Sequence, residues 1–303
     1  MRAQRERELA EAIGTLGVWD AGLCLAPTKD ATEAARELEA MGYEAAWLHE
    51  GGHDAFVLAS LLLGATQRFA VGTSIVSIFR HEPAQMANAA RSLGEAYPGR
   101  FVLGIGSSHE GARSWHGREY ERPYTDMSEY LDAVDRSRWY GPRPDPPVPR
   151  MIAALGPRML DLARRRSRGA IPYLVPVAHT AYARERLGPD PVLAVHQAIV
   201  LRQSRERSIE FAREHVSRYL ERPNYRNNLM RSGLSEDDLA GGGSDRCLEA
   251  VIAWGDADEV AARVRAHLDV GADHVCVSPL GRALGEISLD GLPELAESVH
   301  AVA

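Results

Sequence analysis

The sequence predicts an α/β protein of the (β/α)8 TIM-barrel class, a single domain over residues 1–303 with an insertion between its seventh helix and eighth strand. Three observations predict it. Eight strand-like runs can be counted, and most are followed by a segment of helical spacing. The stretch Arg68–Glu110 reads strand, helix, strand, with Gly72-Thr73-Ser74 and Gly104-Ile105-Gly106-Ser107-Ser108 gathered where the strands end. No Gly-x-Gly-x-x-Gly follows the first strand, as it usually would in a doubly wound sheet, the alternative architecture.

The first strand is Leu16–Asp20, and Ala34, Leu38 and Met41 give Ala31–Met41 one apolar helix face. The second, Ala45–His49, leads to a helix over Asp54–Leu63 with Asp54 as its N-cap. The third runs Phe69–Ser77, and Pro83 opens its helix, to Tyr97, at a first-turn position. The fourth is Phe101–Ile105, with its helix delayed to Tyr124–Arg138. The proline-rich Gly141–Pro149 breaks the chain before the fifth, Arg150–Ala154, whose helix runs from Gly156-Pro157 to Arg166. The sixth, Gly169–Leu174, precedes a helix at Thr180–Leu187, and the seventh, Val192–Leu201, precedes one at Glu206–Leu220. The inserted material, about 222–253, contains Gly241-Gly242-Gly243, and the helix Ala257–Val270 follows it. The eighth strand is His274–Val277, and Leu292–Val302 closes the chain as a helix.

Composition narrows the function. Net charge is −7 with basic residues scattered, which argues against a nucleic-acid surface. No apolar run approaches the roughly 18 residues of a membrane span. The N-terminus is charged and lacks a secretory apolar segment, so the expected location is the cytoplasm. Cys24, Cys247 and Cys276 lie far apart, without metal-ligand spacing; no metal is expected.

In a barrel the carboxyl ends of the strands form one rim, so residues just past each strand share a pocket. Trp19 is either pocket wall or core. Glu50 follows four apolar residues and is costly to bury alone, so it is either paired structurally or catalytic. His49 should point away from Glu50 by strand alternation, and His53 reads as a helix-start residue. His109, after two serines, has the position and the near-neutral pKa of a proton-transfer group. Tyr173 and His196 are candidate substrate-pocket residues, and Arg113, Trp115 and His116 lie in a long loop suited to a lid. The turn Ala154-Leu155-Gly156-Pro157-Arg158-Met159 exposes N–H groups at a helix start, a seat for phosphate; its alternative is an ordinary strand-to-helix turn.

These pieces resemble the luciferase-like monooxygenase superfamily, and more closely its branch of oxidoreductases that use the deazaflavin coenzyme F420. The resemblance runs from Gly17-Val18-Trp19 to Gly271-Ala272-Asp273-His274-Val275. It rests on Gly-Tyr-Glu-Ala-Ala-Trp-Leu-His-Glu (42–50), Val-Gly-Thr-Ser-Ile (71–75), Tyr-Pro-Gly-Arg-Phe-Val-Leu-Gly-Ile-Gly-Ser-Ser-His (97–109) and Ala-Ala-Leu-Gly-Pro-Arg-Met-Leu-Asp-Leu-Ala (153–163), in that order. It implies a barrel with an insertion and a non-proline cis peptide at Ser74-Ile75 backing the deazaflavin ring. It also implies phosphate binding at Ala154–Met159, with Gly106, Ser107 and His109 beside ring and substrate.

The activity implied is hydride transfer between reduced F420 and a small organic molecule, with His109 and then Glu50 as proton-transfer candidates, in a homodimer. The alternatives are an FMN-dependent monooxygenase using O2 and a non-catalytic flavin-binding relative. Two departures stand out. Gly51-Gly52 replaces the histidine pair of luciferase-type members, and Ser167-Arg168-Gly169 replaces a common Gly-Asp-Gly.

Overall fold

Parallel strands close into a ring in the computed structural model, which describes residues 2–108, 122–283 and 285–301. In chain order the strands are β1 (Leu16–Val18), β2 (Ala45–Leu48), β3 (Ala70–Thr73), β4 (Val76–Ser77), β5 (Phe101–Gly106), β6 (Arg150–Ile152), β7 (Gly169–Ala170), β8 (Val192–Leu201), β9 (Ile252–Gly255) and β10 (His274–Pro279). The hydrogen-bonded order is β10-β1-β2-β3-β5-β6-β7-β8, and pairing of β8 with β10 closes the barrel. The predicted third strand is present as two pieces: β3 pairs with β2 and β5, then the chain kinks and β4 rejoins β5.

The helices are α1 (Arg2–Ile13), α2 (Ala21–Leu25), α3 (Thr28–Ala40), α4 (Ala55–Ala65), α5 (Pro83–Ala96), α6 (Pro123–Arg136), α7 (Pro157–Arg166), α8 (Val177–Leu187), α9 (Arg205–Leu220), α10 (Pro223–Arg231), α11 (Asp245–Val251), α12 (Ala257–Asp269) and α13 (Leu292–His300). Local chemistry sets several of their starts. The Asp54 carboxylate caps α4 by accepting from the N–H groups of Phe56 and Val57. Pro83 and Pro157 occupy first-turn positions, where a missing N–H costs nothing.

Two hydrophobic bodies result. The larger joins the barrel wall to helices including α3–α8, α12 and α13. The smaller gathers Ala212, Val216, Leu229, Leu248 and Val251 of the excursion after β8 onto Leu174 and Val200. The helix predicted at Glu206–Leu220 is α9; in space it packs on α10, α11 and β9, while α12 takes its place in the outer ring between α8 and α13.

Sequence reasoning missed α1. Its buried Leu9 and Ile13 join Trp47, Val102, Met151, Ile171 and Cys276 in the barrel's inner cluster. Glu6 of α1 pairs with Arg168 at 3.3 Å, which gives a structural task to an arginine that the resemblance marked as a departure.

Buried histidines make this interior sensitive to acid. His274 Nε2 accepts from the Trp47 indole N–H at 2.9 Å, while its Nδ1 donates to the Gly14 carbonyl at 2.9 Å. Burial pushes its pKa from 6.5 down to about 4, and burial with nearby Arg263 takes His267 to about 3. An unfolded chain takes up these protons near 6.5, but the native chain does so only near 3–4. The unfolded state therefore binds more protons in that window, and the stability contributed is lost as pH falls through it. The variant His274→Gln keeps an acceptor and a donor without titrating. In urea unfolding it is expected to flatten the pH dependence by on the order of 3 kcal/mol between pH 7 and 4; an unchanged slope contradicts the assignment.

Candidate functional site

The kink between β3 and β4 is the Ser74-Ile75 bond, which is cis, at the position the resemblance implied. Side chains from three neighbouring strand ends fix it. The Trp19 indole N–H donates to the Ser74 carbonyl at 3.0 Å, and the Ser74 N–H donates to the Leu48 carbonyl at 2.6 Å. Glu50 Oε2 accepts from the Ser77 N–H at 2.7 Å, and its other oxygen meets His81 Nε2. Thr73 Oγ1 donates to the Gly104 carbonyl at 2.8 Å and accepts from the Gly104 N–H at 2.9 Å, binding the kinked strand to β5. Gly106 must lack a side chain: a Cβ there would come within 2.6 Å of Ile75 Cγ1.

A cavity of about 530 Å³ opens at this end of the barrel. Of the predicted residues it brings together Trp19, Ser74, Ile75, Ser107 and Tyr173, and the whole turn Ala154, Leu155, Gly156, Pro157, Arg158 and Met159. Three predicted residues are not part of its lining. Gly106 sits behind Ile75. Glu50 takes the structurally paired alternative, its carboxylate engaged by Ser77 and His81. His196 is buried beneath the Tyr173 ring, with ring centroids 4.0 Å apart. His109, together with Arg113, Trp115 and His116, lies outside the described residues.

Below the cavity Trp19 meets His49 and His196, with ring centroids 4.9 and 5.4 Å away. His49 is thus packed beneath Trp19, and His53 reaches the Ala26 carbonyl at 2.9 Å. Burial holds the His196 pKa well below 6.5 and the Tyr173 phenol well above 10.0, so both groups are neutral at pH 7. The Tyr173 hydroxyl is 2.9 Å from that of Tyr219 and 3.2 Å from His215 Nε2, whose pKa burial lowers to about 4.

The turn before α7 opens onto the cavity. Gly156 precedes the helix with extended backbone and no side-chain cap; Pro157 carries no N–H and the Met159 N–H turns back to the Gly156 carbonyl at 3.1 Å, which leaves the N–H groups of Gly156 and Arg158 open. His179 Nε2 lies 2.9 Å from the Leu155 carbonyl and buttresses the turn from behind. Arg158 is held over the Tyr124 ring at 4.5 Å. The opposite wall comes from the excursion and was missed from sequence: Tyr219, Arg222, Asn224, Tyr225, Asn227 and Arg231. Its signal was a polar stripe at helical spacing, Asn224, Asn227 and Arg231. No carboxylate is present among the described lining residues. The described residues contain no group of three or more His, Cys, Asp or Glu able to hold a metal, and no helix long and apolar enough to cross a membrane.

A kinked inner strand, a helix start without a side-chain cap and a cavity lined by arginines lie together at one mouth of a parallel barrel. The family model for luciferase-like monooxygenases matches residues 10–274, and the chain belongs to that family. Among curated relatives, the F420-dependent glucose-6-phosphate dehydrogenase of Amycolatopsis mediterranei is 27% identical over 324 residues, covering 88% of this chain and 94% of that protein. The enzyme of the same name from Mycolicibacterium gilvum is 26% identical over 272 residues, covering 76% and 79%.

Among solved structures, an F420-dependent secondary alcohol dehydrogenase in complex with an F420-acetone adduct superposes with a TM-score of 0.73 at 16% identity, covering 94% of this chain and 99% of that one. The F420-dependent tetrahydromethanopterin reductase of Methanopyrus kandleri gives 0.72 at 14% identity, covering 95% and 99%. These structural likenesses concern the fold.

Proposed function

We propose that this chain is an oxidoreductase that uses coenzyme F420 to move a hydride to or from a small organic molecule bearing a polarised carbonyl or a conjugated C=C or C=N bond. The observation that carries the reading is the pairing, in one cavity, of a flat backbone platform at Ser74-Ile75 with an anion seat at Gly156–Arg158. The curated relatives are F420-dependent dehydrogenases, which favours the deazaflavin over FMN.

The residues present fit such a group. Ser74, Ile75 and Ser107 offer small or apolar surface to a planar ring, and about 530 Å³ accommodates one. The N–H groups of Gly156 and Arg158, with the Arg158 guanidinium, would hold a phosphodiester. When bound, the deazaflavin supplies the hydride chemistry. The protein's share is position and proton management. Trp19 and Tyr173 wall the cavity with neutral, bulky surface that keeps water away.

His109, which follows Ser107 and Ser108 in the sequence, is the proposed group that gives or takes the proton at the substrate's oxygen or nitrogen. Glu50 would act indirectly, as a positioning residue for the platform, through its bond to Ser77.

Fluorescence titration of the purified protein with F420 and, separately, with FMN tests the cofactor. Saturable F420 binding with weak FMN binding is expected; tight FMN binding with oxygen consumption reverses the assignment. With an F420-coupled substrate in hand, His109→Ala is expected to lower kcat about a hundredfold or more while F420 still binds. Unchanged turnover and pH profile remove His109 from the mechanism.

A further inference from the structure

We infer that helix α10 is an anion-binding wall that closes on the charged chain of the cofactor, with Arg222 and Arg231 as its contacts. The inference rests on the F420 reading and goes beyond it, to residues outside the barrel-wall turn.

Charge makes the case first. The chain is acidic overall, at −7, and many of its arginines are engaged by carboxylates, among them Arg150 with Asp135, Arg166 with Asp132, Arg184 with Asp273, Arg186 with Asp161 and Arg282 with Asp20. Others are not, and three of those share one place. Arg158, Arg222 and Arg231 line one cavity, and none has an ion-pair partner among the described residues. Like charges gathered without counter-charges repel, so the arrangement is stable only where solvent or a ligand screens it.

Geometry sharpens it. In α10 the positions Asn224, Asn227 and Arg231 share the face turned to the cavity, whereas Arg226 points elsewhere and pairs with Glu236. Arg231 reaches across to the barrel wall: a Cβ on Gly156 would lie 3.7 Å from Arg231 Nη2, so its guanidinium faces the turn that opens α7. One of its nitrogens is steadied by Asn228 Oδ1 at 3.2 Å. Arg222 lies over the Tyr219 ring at 4.8 Å, which orients its plane without neutralising it. Two rigid walls, each bearing guanidinium groups, thus face each other across the anion seat.

The ligand that suits this arrangement carries several anionic groups in a row. F420 does so, with a phosphodiester followed by carboxylates, whereas its ribityl-deazaflavin core carries neither. Guanidinium forks match both oxyanion types.

The test is equilibrium binding followed by deazaflavin fluorescence. Wild type, Arg222→Gln, Arg231→Gln and the double variant are each titrated with F420 and with the tail-less ribityl-deazaflavin, and each is melted alone to check folding. Each single variant is expected to weaken F420 about fivefold and the double about twentyfold, with the tail-less core changed by less than about twofold. The control Arg226→Gln should leave both ligands unchanged. Rising salt should weaken F420 binding to wild type more than to the double variant.

F420 affinities equal to wild type overturn the inference while leaving the proposed cofactor standing. Equal losses for both ligands overturn it in favour of a structural role. Wild type that binds neither ligand defeats the cofactor reading, and this inference with it. Should the glutamine variants melt early, Asn227→Asp, which places a negative charge on the same exposed face, is expected to weaken F420 alone; no change would overturn the inference.

Discussion

Gly104→Val is expected to cost about 3 kcal/mol or more and to leave little folded protein at 37 °C. Gly104 lies in β5 where the Thr73 carbonyl passes so close that any Cβ would overlap its oxygen, with Ile171 Cδ1 2.9 Å away on another side. The obstacle is backbone, so no rotamer change relieves it. The same approach lets Thr73 Oγ1 bond to both the N–H and the carbonyl of Gly104. Urea unfolding of Gly104→Val beside Gly188→Ala separates space from backbone conformation. Gly188 has a positive φ of 81° with ψ −176° but nothing within 4 Å of a Cβ, so its replacement carries backbone strain alone, about 2 kcal/mol. Equal midpoints would contradict close strand packing at β3 and β5.

Glu50→Ala is expected to weaken F420 binding about tenfold or more and to lower stability by about 2 kcal/mol. It strands the Ser77 N–H and the His81 ring, both now held by the Glu50 carboxylate, and so frees β4. Glu50→Gln separates the two roles a carboxylate can have here. Its amide oxygen still accepts from Ser77, so a positioning residue should be largely rescued. A proton-transfer residue would instead bind F420 normally and lose turnover. Calorimetric melting, F420 titration and turnover of the two variants decide between them.

Much of the barrel was legible because strand ends in this chain carry small residues and helix starts carry caps. Asp54, Pro83 and Pro157 marked their helices correctly. The alternation that pointed Glu50 away from His49 also left open whether Glu50 was paired, and long-range contacts with Ser77 and His81 decided that. The helix α1 escaped notice because Leu9 and Ile13 are its only buried apolar side chains among the described residues, set between charged ones, and their role depends on the barrel interior they enter.

The α10 wall was hidden for a related reason. Asn224, Asn227 and Arg231 read locally as a solvated face, and only the fold of the excursion over the barrel mouth turns them toward Gly156. Strand β9 was lost in the insertion because Ile252–Gly255 is four residues long and pairs only with the far end of β8.

The most direct test of the account is a crystal structure of the protein soaked with oxidised F420. The ring is expected to lie against Ser74-Ile75, with its phosphodiester at the N–H groups of the turn Gly156–Arg158. Density for the ring away from that kink, or a phosphate seated elsewhere on the molecule, would contradict it.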